Sequence, residues 1–166
     1  MFELGECIVY GINGVCKVME IGTLDVKGIS KDKLYYTLIP IYSNGSKFFT
    51  PIDNEKVVMR PVISRKDADA LIDDFKDIET IPVADDTRIE DVYKKLIRKC
   101  DSLELAKMIK TIYQRKQLRV SEGKKITVNE EKYLKMAEDS LYGELAIPLE
   151  MEKDAIHEFI IDKLEL

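Results

Sequence analysis

Histidine, cysteine and converging carboxylates are the side chains that most often carry catalysis or hold metals, and this sequence supplies them sparsely. Its one histidine, His157, has no second histidine or cysteine near it in the chain, so neither a metal site nor a nucleophile relay has a second member. Cys7, Cys16 and Cys100 are odd in number and lack CxxC spacing, a poor disulfide framework and a poor zinc signature. Neighbouring carboxylates at Asp73-Asp74, Asp85-Asp86 and Glu130-Glu131 point about 100° apart on a helix instead of meeting on one substrate, and read as solvated caps and faces. No GxxxxGK, GxGxxG, HExxH or GxSxG string occurs to cradle a phosphate or present a nucleophile. The expectation is a protein that is not an enzyme and uses no cofactor and no metal.

Charge is the chemistry that remains. A net charge of −5 argues against nucleic-acid binding on average, but the average hides a segregation. Residues 86–136 hold 14 basic and 8 acidic groups, whereas residues 137–166 hold 2 and 9. A positive block set against an acidic tail suggests a directed surface, although solvated helix faces account for the same composition. Arg115, Lys116 and Arg119 near the end of one helical stretch, Lys124 and Lys125 in the loop after it, and Lys132 one turn into the next are spaced to surround a single corner. Arg88, further upstream, joins them as a candidate DNA contact. Cations without interleaved base-reading Asn or Gln suit phosphate contacts, which position a protein and read no sequence.

Two periodicities divide the elements that must carry these groups. Through residue 62 the chain reads as short strands: Cys7–Tyr10, a turn at Gly11–Gly14, Val15–Ile21, Leu34–Ile41, a turn at Ser43–Ser46, Lys47–Thr50 and Val57–Arg60. Five short strands without a helical period predict a bent sheet of SH3 or Tudor-like type. From Ser64 the period is helical. Ala68, Leu71, Ile72 and Phe75 form the first stripe, and Ile89, Val92, Tyr93, Leu96, Ile97 and Cys100 the second. Leu103, Ala106, Met108, Ile109, Ile112 and Tyr113 form the third.

Thr127 with Glu130 is a capping box opening a fourth helix, lined by Tyr133, Leu134, Ala137, Leu141, Leu145 and Ala146. Pro148 predicts a break. Glu152–Leu164 completes the set through Ala155, Ile156, Phe159, Ile160 and Leu164. The expected fold is a β + α two-domain chain: a small five-stranded β domain over 1–62 and an all-α bundle of about five helices over 63–166. No basic leader followed by an apolar run is present, and no stretch of about 18 apolar residues occurs, so the expected location is cytoplasmic, away from membranes.

Four strings in register resemble the CarD/CdnL family of bacterial transcription regulators. Phe2-x-x-Gly5-Glu6-x-Ile8-Val9-Tyr10 followed by Gly14-Val15 is similar to that family's opening, with Gly11-Ile12-Asn13-Gly14 in place of its P-x-H-G turn. Val57–Ser64 resembles the exit from its β domain, Leu105–Lys116 its basic helix, and Leu141-Tyr142-Gly143-Glu144-Leu145-Ala146 its L-x-G-E-L-A signature. The resemblance implies a Tudor-like domain that binds the lobe of the RNA polymerase β subunit by strand addition, here through Lys47, Phe48, Phe49, Thr50 and Pro51. It further implies a helical domain at the upstream edge of the promoter bubble, with weak DNA contact helped by tethering.

Family members commonly wedge a tryptophan into the minor groove at the start of the helical domain. This chain has no tryptophan, and Val83 stands at the equivalent place. A second reading keeps the polymerase or another protein as partner and gives the helical domain no DNA role. No small-molecule substrate is implied by either.

Overall fold

The turn between the first two strands shows how glycine sets the sheet. In the computed structural model, which describes residues 1–82 and 86–164, β1 (Cys7–Tyr10) passes through a 3₁₀ turn at Gly11–Asn13 into β2 (Val15–Gly22). Gly11 has φ +51°, and a Cβ there would lie 2.7 Å from Val57 Cγ1. Gly14 at φ 75°, ψ −153° occupies a region open in practice to glycine alone. β3 (Tyr35–Pro40), β4 (Phe48–Pro51) and β5 (Met59–Pro61) complete an antiparallel five-stranded sheet in the order β4-β3-β2-β1-β5.

A register shift between Val18 and Glu20 on β2 places one extra residue, the exposed Met19, opposite β3. Such bulges sharpen the local twist of the sheet. Ile8, Tyr10, Cys16, Val18, Tyr36 and Leu38 form the core of this unit, with Phe2, Phe48, Val57 and Met59 packed on it. Phe2 is held twice: its ring lies 5.8 Å from that of Tyr36, and its amide donates to the Tyr36 hydroxyl at 2.9 Å. The fifth strand begins two residues later than the apolar run Val57–Arg60 predicts, because Val57 turns into the core and the Val58 carbonyl accepts from the Gly11 amide at 2.8 Å.

The chain divides into two compact units, Met1–Val62 and Ile63–Leu166. In the second, α1 (Arg65–Asp74), α2 (Asp86–Lys99), α3 (Ser102–Ser121), α4 (Val128–Leu149) and α5 (Lys153–Leu164) follow in order. Side-chain caps start three of them: Ser64, Asp101 and Thr127 accept from the amides of Asp67, Glu104 and Glu130. α4 is the central helix and packs against each of the other four.

In the helical unit the structure corrects the sequence reading at six residues. Pro148 does not break α4 but sits in its last turn, where a proline removes only one bond before Glu150 ends the helix in the left-handed region. Leu103 and Phe159 are exposed, while Leu105, outside the predicted stripe, is buried. Leu103 lies six residues before Ile109, well around the helix from the buried face. Cys100 is buried one residue past the end of α2, with φ 52°. Finally, Glu130 is not solvated: it is only 4% exposed.

Candidate functional site

β4 lies at one edge of the sheet and pairs with β3 alone. Alternation sends its side chains to opposite faces. Phe48 turns inward, 5.6 Å from the Tyr10 ring, and Thr50 is buried with its hydroxyl accepting from Asn54 Nδ2 at 2.8 Å. Phe49 points the other way and is 52% exposed. Lys47 is exposed just before the strand, and Pro51 ends it opposite Tyr35. Four of the five residues singled out from the sequence, Phe48–Pro51, thus form one edge strand with a single aromatic ring presented to solvent, and Lys47 lies just outside it.

The cations of the helical unit fall into two groups. Arg115 and Arg119 stand one turn apart on α3 and share the buried carboxylate of Glu130 on α4, Nε to Oε1 at 2.6 Å and Nε to Oε2 at 3.7 Å. They border a cleft of about 220 Å³ lined also by Ile89, Tyr93, Asn129 and Tyr133. These arginines tie the end of α3 to the start of α4, so part of their charge is already answered within the protein.

Lys116 near the end of α3, Lys124 and Lys125 in the loop after it, and Lys132 in the first turns of α4 are all exposed. Lys116 and Lys132 lie 6.0 and 5.9 Å from the ring centroids of Tyr113 and Tyr133. Lys124 meets Glu122 at 3.8 Å on the surface, a contact too exposed to hold it.

A second basic face was not singled out from the sequence apart from Arg88. On α2, Arg88, Lys95, Arg98 and Lys99 are all exposed, opposite the buried stripe of Ile89, Tyr93, Leu96 and Ile97. None of the four has a carboxylate partner among the described residues, whereas Lys94 pairs with Glu90 at 3.3 Å. The signal was available: positions 88, 95 and 99 recur at helical spacing on the side away from the apolar stripe. The chain leading to α2 is pinned to α3 by the Ile81 amide, which donates to Thr111 Oγ1 at 2.9 Å. Val83, the candidate wedge, lies outside the described residues.

Other ionisable groups brace the bundle. Glu144, 1% exposed within α4, accepts from the Ile63 amide at 2.9 Å and from the Ser102 hydroxyl at 3.1 Å. Glu138 joins three helices, accepting from the Tyr113 hydroxyl at 3.1 Å and meeting His157 Nδ1 at 2.8 Å. Burial, and then the charge of Glu138, push the Tyr113 phenol well above its ordinary range, so it remains a neutral donor. No group of three potential metal ligands occurs among the described residues, and no described helix is long and apolar enough to cross a membrane.

The open β4 edge presents one exposed aromatic ring, and comparison with known families bears on this unit. Residues 2–63 match the model of the CarD-like/TRCF RID domain. The β unit is a member of that family. CarD-like RID domains bind the β subunit of RNA polymerase and are non-catalytic interaction modules of Tudor-like fold, and the match over the β unit points to a transcription-related role. The match to the RID model ends at the start of the helical unit. No curated protein matches the chain.

Proposed function

We propose that this protein is a transcription regulator that grips the β-subunit lobe of RNA polymerase through the β4 edge. Its helical unit then lays cations on promoter DNA at the upstream edge of the bubble and modulates open-complex stability. The observation that carries the reading is the pairing, in one chain, of an RID-family sheet with an open edge and a separate unit with an exposed basic face on α2, whose Arg88, Lys95, Arg98 and Lys99 have no carboxylate partner among the described residues. Anchoring by the first unit raises the effective concentration of the second near DNA, so a net-acidic chain can act there with weak intrinsic affinity.

Contact is led by the phosphate backbone and is not sequence-specific: Lys116, Lys124, Lys125 and Lys132 at one corner, with Arg88 on α2, offer charge without a base-reading pattern. Arg115 and Arg119 contribute to the field and mainly hold that corner in place. Without tryptophan, any apolar contact from Val83 is smaller than an inserted aromatic ring, and stabilisation of the bubble is correspondingly weaker.

The commitment of Arg115 and Arg119 to Glu130 favours the second reading, a protein-binding helical unit. Salt decides between them. A pull-down on the purified β lobe followed by open-complex lifetimes across ionic strength tests the proposal: an effect of the protein that fades as salt rises supports DNA contact, and a salt-independent effect supports the protein-only role.

A further inference from the structure

We propose that the β4 edge accepts the incoming polymerase strand in one register, with Phe49 as its only open backbone position and Pro51 as a built-in stop. The inference rests on the reading of this edge as the polymerase grip and adds what fixes the alignment there. The Ile52 amide donates to the Leu34 carbonyl at 3.1 Å, in the same alignment that places Pro51 opposite Tyr35 and Phe49 opposite Thr37. In an antiparallel pair, hydrogen-bonded and non-hydrogen-bonded positions alternate. Thr50 and Phe48 therefore spend their backbone groups on β3, while Phe49 and Pro51 turn theirs to the open side.

Pro51 has no N–H to give, and its carbonyl already accepts from the Asn54 amide at 3.1 Å. Asn54 is itself fixed, donating from its side chain to Thr50 and accepting from the Lys56 amide at 2.9 Å. Within β4 only Phe49 offers both a donor and an acceptor, and any further bond must come from the Lys47 side. A partner strand slid two residues toward Ile52 would face a position with no donor and a used acceptor. The exposed Phe49 ring stands at the same residue, so backbone and side chain mark one register.

The opposite edge lacks this combination. The Gly11 amide bond to Val58 leaves Met59 and Pro61 facing outward on β5, and the Pro61 carbonyl accepts from Arg60 Nη1 at 3.1 Å. Met59 packs its side chain on the core, so its open backbone has no exposed ring beside it.

Phe49→Pro deletes the outward donor and no bond within the sheet, which makes it the direct test in the full chain against purified β lobe. Binding should weaken about 30-fold, in the range expected for one buried backbone group left unpaired, and by more than in Phe49→Ala, where only the ring is lost. Pro51→Ala returns a donor at the stop and should tighten binding about fivefold. Residue-resolved amide exchange on the wild-type complex should show new protection at Phe49 and none at Met59.

A folded Phe49→Pro protein that binds like wild type overturns the register, as does protection at Met59 instead of Phe49. Polymerase binding by the wild type would survive either result and leave the reading of the unit intact. A wild-type chain that binds no β lobe, or that uses this edge to pair with its own copy, overturns both.

Discussion

The β unit and the helical unit offer themselves to partners in opposite currencies. Residues 1–62 carry seven basic and seven acidic groups and present backbone at an edge, whereas residues 86–136 carry a surplus of six positive charges on helix surfaces. Backbone recognition demands a fixed sheet, and a fixed sheet demands particular residues: Gly11 against Val57, Gly14 in its glycine-only conformation, Phe2 on Tyr36. Charge recognition demands only that cations face outward, which many placements of Lys and Arg achieve. The first kind of constraint leaves a sequence signature that a family model reads; the second leaves a surplus of charge without a motif.

If the two units serve separate contacts, damage to one should spare the other. The largest effect is expected at Glu144. Glu144→Ala leaves the Ile63 amide and the Ser102 hydroxyl without their buried acceptor, and should destabilise the helical unit by about 3 kcal/mol or more, read from chemical denaturation by helical signal. Glu144→Gln keeps an acceptor and a donor in the same place and should lose less than half as much. β-lobe affinity should be unchanged in both while the protein is folded; a loss in either would break the separation.

Arg115→Ala comes next. It strands the buried carboxylate of Glu130 beside a single, more distant arginine, and should cost about 2–3 kcal/mol, just below the range for a fully buried pair because Arg115 is partly exposed. A stability loss much larger than the loss of DNA effect would sharpen the assignment of this arginine as a brace. The reverse would return it to the DNA surface.

The smallest effect concerns Cys16. Desolvation, and then the neighbouring Cys7, push its thiol from 9.0 up to about 11. The raised value favours the protonated form in the folded state, so the associated stability is present below pH 9 and is lost as pH rises toward 11. At pH 8, alkylation followed by mass spectrometry should label the half-buried Cys7 before Cys16, and denaturant should erase the difference. Early labelling of Cys16 would mean that the sheet opens more readily than its role as a rigid edge requires.

Much of this arrangement was legible in the sequence, for reasons that differ by residue. Turn glycines and β-rich runs located the strands because no other residue suits those turns. Ser64 and Thr127 marked helix starts because a cap is a local interaction. What failed was non-local. Glu130 next to Glu131 looked like a solvated pair, and only the packing of α3 on α4 brings Arg115 and Arg119 to it. Leu103 and Phe159 looked internal because both are apolar, yet each lies on a side of its helix that no other described element covers enough to bury it. Pro148 looked like a break because its distance from the helix end cannot be judged before the end is known.

The division of labour itself is tested most directly by open-complex lifetime with Lys124→Glu/Lys125→Glu, measured with polymerase between about 50 and 200 mM salt, the range over which phosphate contacts weaken steeply. Both lysines are exposed, so folding and β-lobe binding should be unaffected. The account predicts that the wild-type protein changes the lifetime more at low salt than at high salt, and that the double variant abolishes most of the low-salt effect across promoters. A double variant that binds polymerase and changes the lifetime as the wild type does at low salt would contradict it.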